Sequence, residues 1–321
     1  MKSAMAHLIL VLKETAGLRN RLAITSIANY RQPQAALSTP PRRIALAATA
    51  ATRRKAPPAV AEAPEDGLFV QSVEKAFRVL SAFGNGARSM GLSEIAAESG
   101  LDRSAAQRFT HTLERLGYLR KDPRTRHYEL TVRTLDIGHR YITSSALVER
   151  AAPYLLDLSR ATEEAVSLTV LDGTDIVYVS RLLSRHMLNT NVQVGSRLPA
   201  YCTAPGRAIL ARMPRAEARR LLEKSDRRAY TPHTTTLLAE LLAKLDTATH
   251  RGFALAVEEI YPGDVSIAAA VLGPQGEPAA AVNVAVSLSR CQPATAVERY
   301  ASLVVTAATA MSQSLPRTQR R

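Results

Sequence analysis

Apolar residues fall into a regular period only after Leu68. Val73, Ala76, Phe77, Leu80 and Phe83 recur at steps of three and four, the spacing that lines one buried face of an α-helix, and Gly84-Asn85-Gly86 ends the run. A shorter helix over Leu92–Ser99 turns Leu92, Ile95 and Ala96 to one side, with Gly100 as its stop. Leu101 plugs the turn, and Asp102 is placed to cap a third helix, Arg103 to Leu116, that buries Ala106, Phe109, Leu113 and Leu116. Two helices joined by so short a Gly-containing turn have the form of a helix–turn–helix. Gly117 closes the third helix. Tyr118–Lys121 and His127–Leu130 then read as two strands around an Asp122–Arg126 turn, a wing.

The helical pattern resumes over residues 134–162. Leu135 and Ile142, Ile137 and Tyr141, then Leu147, Ala151, Tyr154, Leu155 and Leu158 form its apolar positions. Val166–Val170 and Ile176–Val179 flank an Asp-Gly turn and predict a hairpin. Helical patterns follow at about 205–212, 215–224 and 235–250. Val265–Leu272 and Ala279–Ser287 form a second strand pair around Gly273-Pro274-Gln275-Gly276. Symmetric pairing about that turn sets Ser266 opposite Asn283, Ala268 opposite Ala281 and Ala270 opposite Ala279. One face carries Ile267, Val271, Val282, Val284 and Val286. The other carries only small residues, Ser266, Ala268, Ala270, Ala281, Asn283 and Ala285. A face so shallow leaves room for a ligand or lets a helix pack closely, and both readings stay open. Thr203 is placed to cap a helix starting at Pro205, whose N-terminal amides offer a seat for a carboxylate.

Length and charge narrow this picture. The chain has 321 residues, enough for about two domains. Its 42 Lys and Arg against 28 Asp and Glu give a formal charge of +14, which suggests a polyanionic partner only if the charge sits on a folded surface. Residues 1–60 hold ten bases and one acid. That Arg-, Ala- and Pro-rich start has no lasting period and reads as a disordered basic extension over residues 1–66: an upstream extension, a nonspecific basic arm or a targeting segment. Residues 103–126 carry seven bases and two acids, so charge is concentrated on the third helix and its wing. That helix is about 20 Å long, and its outward face presents Arg103, Ser104, Gln107, Arg108, His111 and Arg115. With Arg124 and Arg126 of the wing, these are side chains that read base edges or hold phosphates.

Other chemistry is sparse. The two cysteines, Cys202 and Cys291, make neither a disulfide framework nor a four-ligand zinc site, and a reduced compartment suits them. Cys202 reads as a small buried hydrophobe. The seven histidines form no ligand pair at helical spacing, and no phosphate loop, Gly-x-Ser-x-Gly elbow or zinc motif occurs. No metal, cofactor or catalytic residue is expected. No apolar run approaches the ~20 residues that span a bilayer, so a cytoplasmic protein without a membrane partner is expected.

The run Phe69-Val70-Gln71-Ser72-Val73-Glu74-Lys75-Ala76, then Leu92-Ser93-Glu94-Ile95-Ala96, Gly100-Leu101, Arg108 and Leu113-Glu114-Arg115-Leu116-Gly117-Tyr118-Leu119, resembles the IclR-type transcriptional regulators. The resemblance continues through Val170–Val179, Leu198-Pro199-Ala200-Tyr201-Cys202-Thr203 and Gly252-Phe253 to Val286. It implies an α+β chain: a winged helix–turn–helix over 67–130, a linker helix over 131–145, and a GAF-like α/β effector-binding domain over 146–316, with a basic tail at 317–321. It also implies a homodimer or dimer of dimers, double-stranded operator DNA as partner, and a small acid effector. The Leu-Pro-Ala-Tyr-Cys-Thr stretch looks most like regulators of aromatic-acid catabolism, particularly the β-ketoadipate pathway.

From the family's motifs, Thr203, Ala204, Gly206, Ser266 and Asn283 are carried over as effector-binding residues. Pro205, which has no N–H, and Ala256-Val257, where many members have an acid, depart from the pattern. The function expected is ligand-controlled transcription regulation, not catalysis. The alternatives are a sensor or enzyme that uses the helix–turn–helix as an interaction surface, and a nonspecific basic DNA binder.

Overall fold

A computed structural model describes residues 67–84, 88–186 and 192–314. The expectations for residues 1–66, the Asn85-Gly86 stop and residues 317–321 lie outside the described residues. Among the described residues no helix is long and apolar enough to cross a membrane.

The N-terminal region is built as the local signals dictate. Helix α1 (Gln71–Ser81) packs on α2 (Leu92–Ser99) and α3 (Arg103–Arg115). Its apolar positions cover an arc of about 160° at 100° per residue, more than those two helices cover. Val79, Ala82 and Phe83 are therefore buried, whereas Val73 and Phe77, expected on one buried stripe, are 52% and 55% exposed. At the start of α2 the Glu94 carboxylate accepts the Gly91 N–H at 2.7 Å. Gly100 ends α2 with φ +63°, a left-handed conformation that L-residues adopt at a cost. Asp102 caps α3 by accepting the Ala105 N–H at 2.8 Å.

Helix α3 buries Ala105, Ala106, Thr110 and Leu113. Leu116, expected to be buried, lies beyond its last turn and is half exposed, because the chain turns away at Gly117. Strands β1 (Leu119–Lys121) and β2 (Tyr128–Leu130) form the wing, with Met90 bridged to Tyr128 beside them. Val79, Phe83, Ile95, Leu113, Leu119 and Tyr128 make the small core.

The helical pattern over 134–162 is divided into α4 (Leu135–Ser144) and α5 (Ala146–Thr162) by the extended backbone of Ser145, whose hydroxyl caps α5 at Val148 N–H. An antiparallel sheet follows: β3 (Ala165–Asp172), β4 (Asp175–Leu182), β5 (Arg197–Pro199), β6 (Ala254–Val257), β7 (Asp264–Leu272) and β8 (Pro278–Ser287), in the order β5-β4-β3-β8-β7-β6. Val166, Leu168, Ile267, Val282, Val284 and Val286 face α5 and the C-terminal helix α9 (Pro293–Ser314). The other face is covered by α6 (Ala204–Leu210), α7 (Arg215–Lys224) and α8 (Leu238–Arg251).

Both faces of the β7–β8 pair are as expected from period two, but the register differs. Ser266 is opposite Ala285, Ala268 opposite Asn283, and Ala270 opposite Ala281. Two features each add one step to the symmetric pairing. The connection includes Glu277, so that Gly273 N–H donates to Glu277 O, and the ladder bulges between Val271 and Leu272. A shift of two preserves every face and slides β8 along β7.

Candidate functional site

Two surfaces collect polar groups in positions that packing alone does not require. The first is α3 with its wing. Because α3 turns Ala105, Ala106, Thr110 and Leu113 inward, Arg103, Ser104, Gln107, Arg108, His111 and Arg115 all lie exposed along its outer side. Arg103 donates to Ser93 Oγ on α2 at 3.2 Å, which steadies the start of the row. In the wing, Asp122 accepts the Arg124 and Thr125 N–H groups, and Arg126 takes φ +64°. Both Arg124 and Arg126 are thereby exposed at the tip. Not all the local charge is available to a ligand: Arg120 is paired with Glu129 at 2.7 Å across the wing.

The second surface is a cavity of about 30 Å³ between β7, β8, β4 and the start of α6, room for one or two waters. Four of the five expected residues line it: Thr203, Ala204, Ser266 and Asn283. Gly206 does not. Its N–H is spent on Thr203 Oγ1 at 3.3 Å, and it lies so close to Ala200 that a Cβ would come within 2.3 Å of the Ala200 carbonyl oxygen. Its role is to let α6 pack on the preceding turn. The helix begins at Ala204 rather than Pro205 and is seven residues long. With Pro205 lacking an N–H and the Gly206 N–H already used, α6 is a weaker anion seat than its sequence suggests.

The face of small residues is divided. At one end Ala268 and Ala281 are wholly buried under α6, so close helix packing prevails there. At the other end Ser266, Asn283 and Ala285 open on the cavity. Asn283 Nδ2 donates to Ser266 Oγ at 3.1 Å, diagonally along the strands. Its Oδ1 is buried and, among the described residues, has no hydrogen-bond partner. One rung of the sheet carries Arg181, Ser167, Asn283 and Ala268 in line on β4, β3, β8 and β7, and Arg181 donates to Ser167 Oγ at 3.1 Å.

Sequence reasoning did not find Arg181, Asp264, Tyr178 and Tyr261, which also line this cavity. Asp264 opens β7 directly after Pro262-Gly263, one position before the expected strand. Arg181 lies near the end of β4, beyond Val179, where the expected span stopped. Burial pushes the Asp264 carboxyl up to about 7, against the opposing pull of Arg181, and its Oδ1 is also buried without a partner among the described residues. Burial raises the Tyr178 and Tyr261 hydroxyls as well, so both are neutral donors. The Cys202 thiol, at the cavity wall, is pushed up to about 12 by burial; it is the buried hydrophobe expected and a poor nucleophile.

Glu259, also on the wall, is held by Arg207 at 2.7 Å and Lys244 at 2.9 Å. It lies just beyond the Ala256-Val257 departure and supplies an acid, already neutralised, near the place where the pattern lacks one. Among the described residues, the cavity wall pairs no nucleophile with a base. The chain thus carries a buried polar cavity in its C-terminal region and, separately, a surface of exposed bases on α3 and the wing.

A winged helix–turn–helix followed by an α/β domain with a buried polar cavity defines a ligand-responsive DNA-binding regulator. Residues 72–123 match the IclR helix-turn-helix domain, and residues 139–313 match the bacterial transcriptional regulator IclR C-terminal domain. The chain belongs to the IclR family of transcriptional regulators. It is 31% identical over 265 residues to the Pca regulon regulatory protein of Pseudomonas putida, covering 80% of this chain and 90% of that one. It is 30% identical over 241 residues to the p-hydroxybenzoate hydroxylase transcriptional activator of Acinetobacter baylyi, covering 74% and 88%. A crystal structure of an IclR family transcriptional regulator from Brucella abortus superposes with a TM-score of 0.69 at 26% identity, over 82% of this chain and 99% of that one.

Proposed function

We propose that this regulator binds operator DNA as a homodimer through α3 and its wing, and that a small carboxylic acid held in the C-terminal cavity controls that binding. The observation that carries the first part is the unbroken exposed row of Arg103, Ser104, Gln107, Arg108, His111 and Arg115 on a helix capped and packed on its other side. Gln107 and Arg108 are the base-reading pair, Arg being suited to guanine and Gln to adenine. Ser104, His111, Arg115, Arg124 and Arg126 hold phosphates and fix register. Two such helices, one per protomer, would read an inverted repeat.

Dimerisation is supported by apolar groups that the described residues do not cover: Phe69, Val70, Val73 and Phe77 around α1, and Val132, Leu135, Ile137 and Tyr141 around α4, all at least half exposed. Exposed apolar groups gathered in this way mark an interface.

For the cavity, Arg181 supplies a cation, and Tyr178, Tyr261 and Ser266 supply hydroxyls. Thr203, Ala204 and Asn283 complete the wall. An acid larger than two waters fits only if this wall moves. That movement gives the ligand its differential affinity for two arrangements, typically ~1–3 kcal/mol of coupling. The two relatives named for the Pca regulon and for p-hydroxybenzoate hydroxylase favour aromatic-acid catabolism as the controlled pathway. The test is electrophoretic mobility shift across promoter fragments with and without a panel of small carboxylic acids. A sequence-selective, salt-resistant complex that an acid alters supports the reading; binding that follows salt alone, without selectivity, defeats it.

A further inference from the structure

The cavity's polar wall is unbalanced. Among the described residues, Asn283 donates one amide N–H to Ser266 Oγ while its oxygen has no partner. Asp264, two residues from Ser266 on the same face of β7, likewise has an unsatisfied Oδ1. Ionised, Asp264 is, like Asn283 Oδ1, an acceptor that a purely anionic ligand cannot satisfy, and in that form it repels a carboxylate. Each unsatisfied buried acceptor is costly until a donor arrives. From this asymmetry, and resting on the acid-effector reading above, we infer that Asp264 is the specificity-determining residue of the cavity, accepting a hydrogen bond from a hydroxyl on the effector. The effector is then a hydroxy-acid: its carboxylate is held by the cationic and hydroxyl groups of the wall, and its hydroxyl donates to Asp264, with Asn283 Oδ1 available to a second donor.

The groups facing Asp264 set how this depends on pH. Arg181 and Tyr178 approach from β4 and Tyr261 from the turn before β7. Arg181 is the cation among them, and the two phenols are raised and stay neutral. Burial outweighs Arg181 and leaves Asp264 titrating near 7. A hydroxyl donating to Asp264 selects its ionised form, so binding below that pH releases the Asp264 proton to solvent. Apparent affinity therefore rises with pH, by about tenfold between pH 6 and 8 as the ionised fraction grows. A bare acid taken up with Asp264 as donor gives the opposite slope.

The experiment is isothermal titration of the full-length protein with matched probes, benzoate against 4-hydroxybenzoate and butyrate against 3-hydroxybutyrate, at pH 6, 7 and 8. In the pair that binds, the hydroxylated member is expected to be at least tenfold tighter, because a site built to bond a hydroxyl rejects the analogue without one. Asp264→Leu brings that ratio below threefold. Asp264→Asn, which keeps the shape and an acceptor oxygen, retains part of the discrimination and loses the pH slope; its melting temperature and circular dichroism confirm the fold if the leucine variant does not accumulate. Equal affinity within a binding pair, a ratio unchanged in folded Asp264→Leu, or affinity that falls with rising pH overturns the assignment while leaving the acid-effector reading intact. Absence of binding by all four acids overturns that reading, and the assignment with it.

Discussion

Arg207 Nη2 lies 2.7 Å from Glu259 Oε1, with both side chains almost completely buried, and so ties α6 to the segment after β6. Arg207 Nη2 also donates to Leu255 O at 2.9 Å, and Lys244 reaches the same Glu259 oxygen at 2.9 Å. Glu259 is also part of the cavity wall. Glu259→Ala leaves Arg207 charged and buried without its partner. That is expected to cost about 3–5 kcal/mol, measured by urea unfolding of the full chain, whereas Arg207→Met with Glu259→Gln should recover much of the loss.

Burial of the Asp264 carboxyl is expected to make stability depend on pH. Its folded carboxyl titrates near 7, against an ordinary value near 4 for the unfolded chain. Between those two values the folded state holds a proton that the unfolded state has lost. Stability therefore falls as pH rises from 4 to 7 and flattens above. Asp264→Asn should remove that slope and stabilise the unliganded protein at pH 8 by a few kcal/mol, read as a raised thermal midpoint. A midpoint no higher than that of the wild type at pH 8 contradicts this account.

Gly206→Ala tests the role given to that residue. Its new methyl meets Ala200 backbone at 2.3–2.7 Å rather than a yielding side chain, so overpacking of about 1–3 kcal/mol or more is expected. Thermal unfolding should show it with or without any ligand, as it would not if Gly206 acted only through effector contact.

On the DNA side, the base-reading and phosphate-holding roles proposed above predict different behaviour. Gln107→Ala or Arg108→Ala should cost roughly 1–3 kcal/mol on a specific site and relax the preference at one base position. Arg124→Ala or Arg126→Ala should weaken all sequences alike and lower the salt slope by about one. Fluorescence anisotropy at two salt concentrations separates them.

Most of the helix–turn–helix was legible because its signals are local. Gly100 and Asp102 each act on the turn that contains them. The outward row on α3 follows once Ala106 and Leu113 are buried. Both faces of β7 and β8 were also legible, since alternation is a property of each strand alone. Their register was not, because it depends on one more residue in the turn and on a bulge. Val73 and Phe77 were misplaced for a related reason: an apolar stripe shows that a surface seeks a partner, not that this chain supplies it. Arg181 and Asp264 come from strands far apart in sequence and meet only in the folded sheet. Neither belongs to a local pattern that periodicity could reveal.

With the effector held as proposed, the two-step offset between β7 and β8 also makes a surface turn part of the recognition apparatus. Residues Gly273 to Glu277 connect the far ends of these strands, away from the cavity. A change of turn that slides β8 back by two residues keeps every valine on its own face, yet carries Asn283 about 7 Å along the sheet relative to Ser266. Loop length at this hairpin can therefore change ligand preference while the core composition stays fixed, a route to new effectors that requires no substitution at the cavity wall.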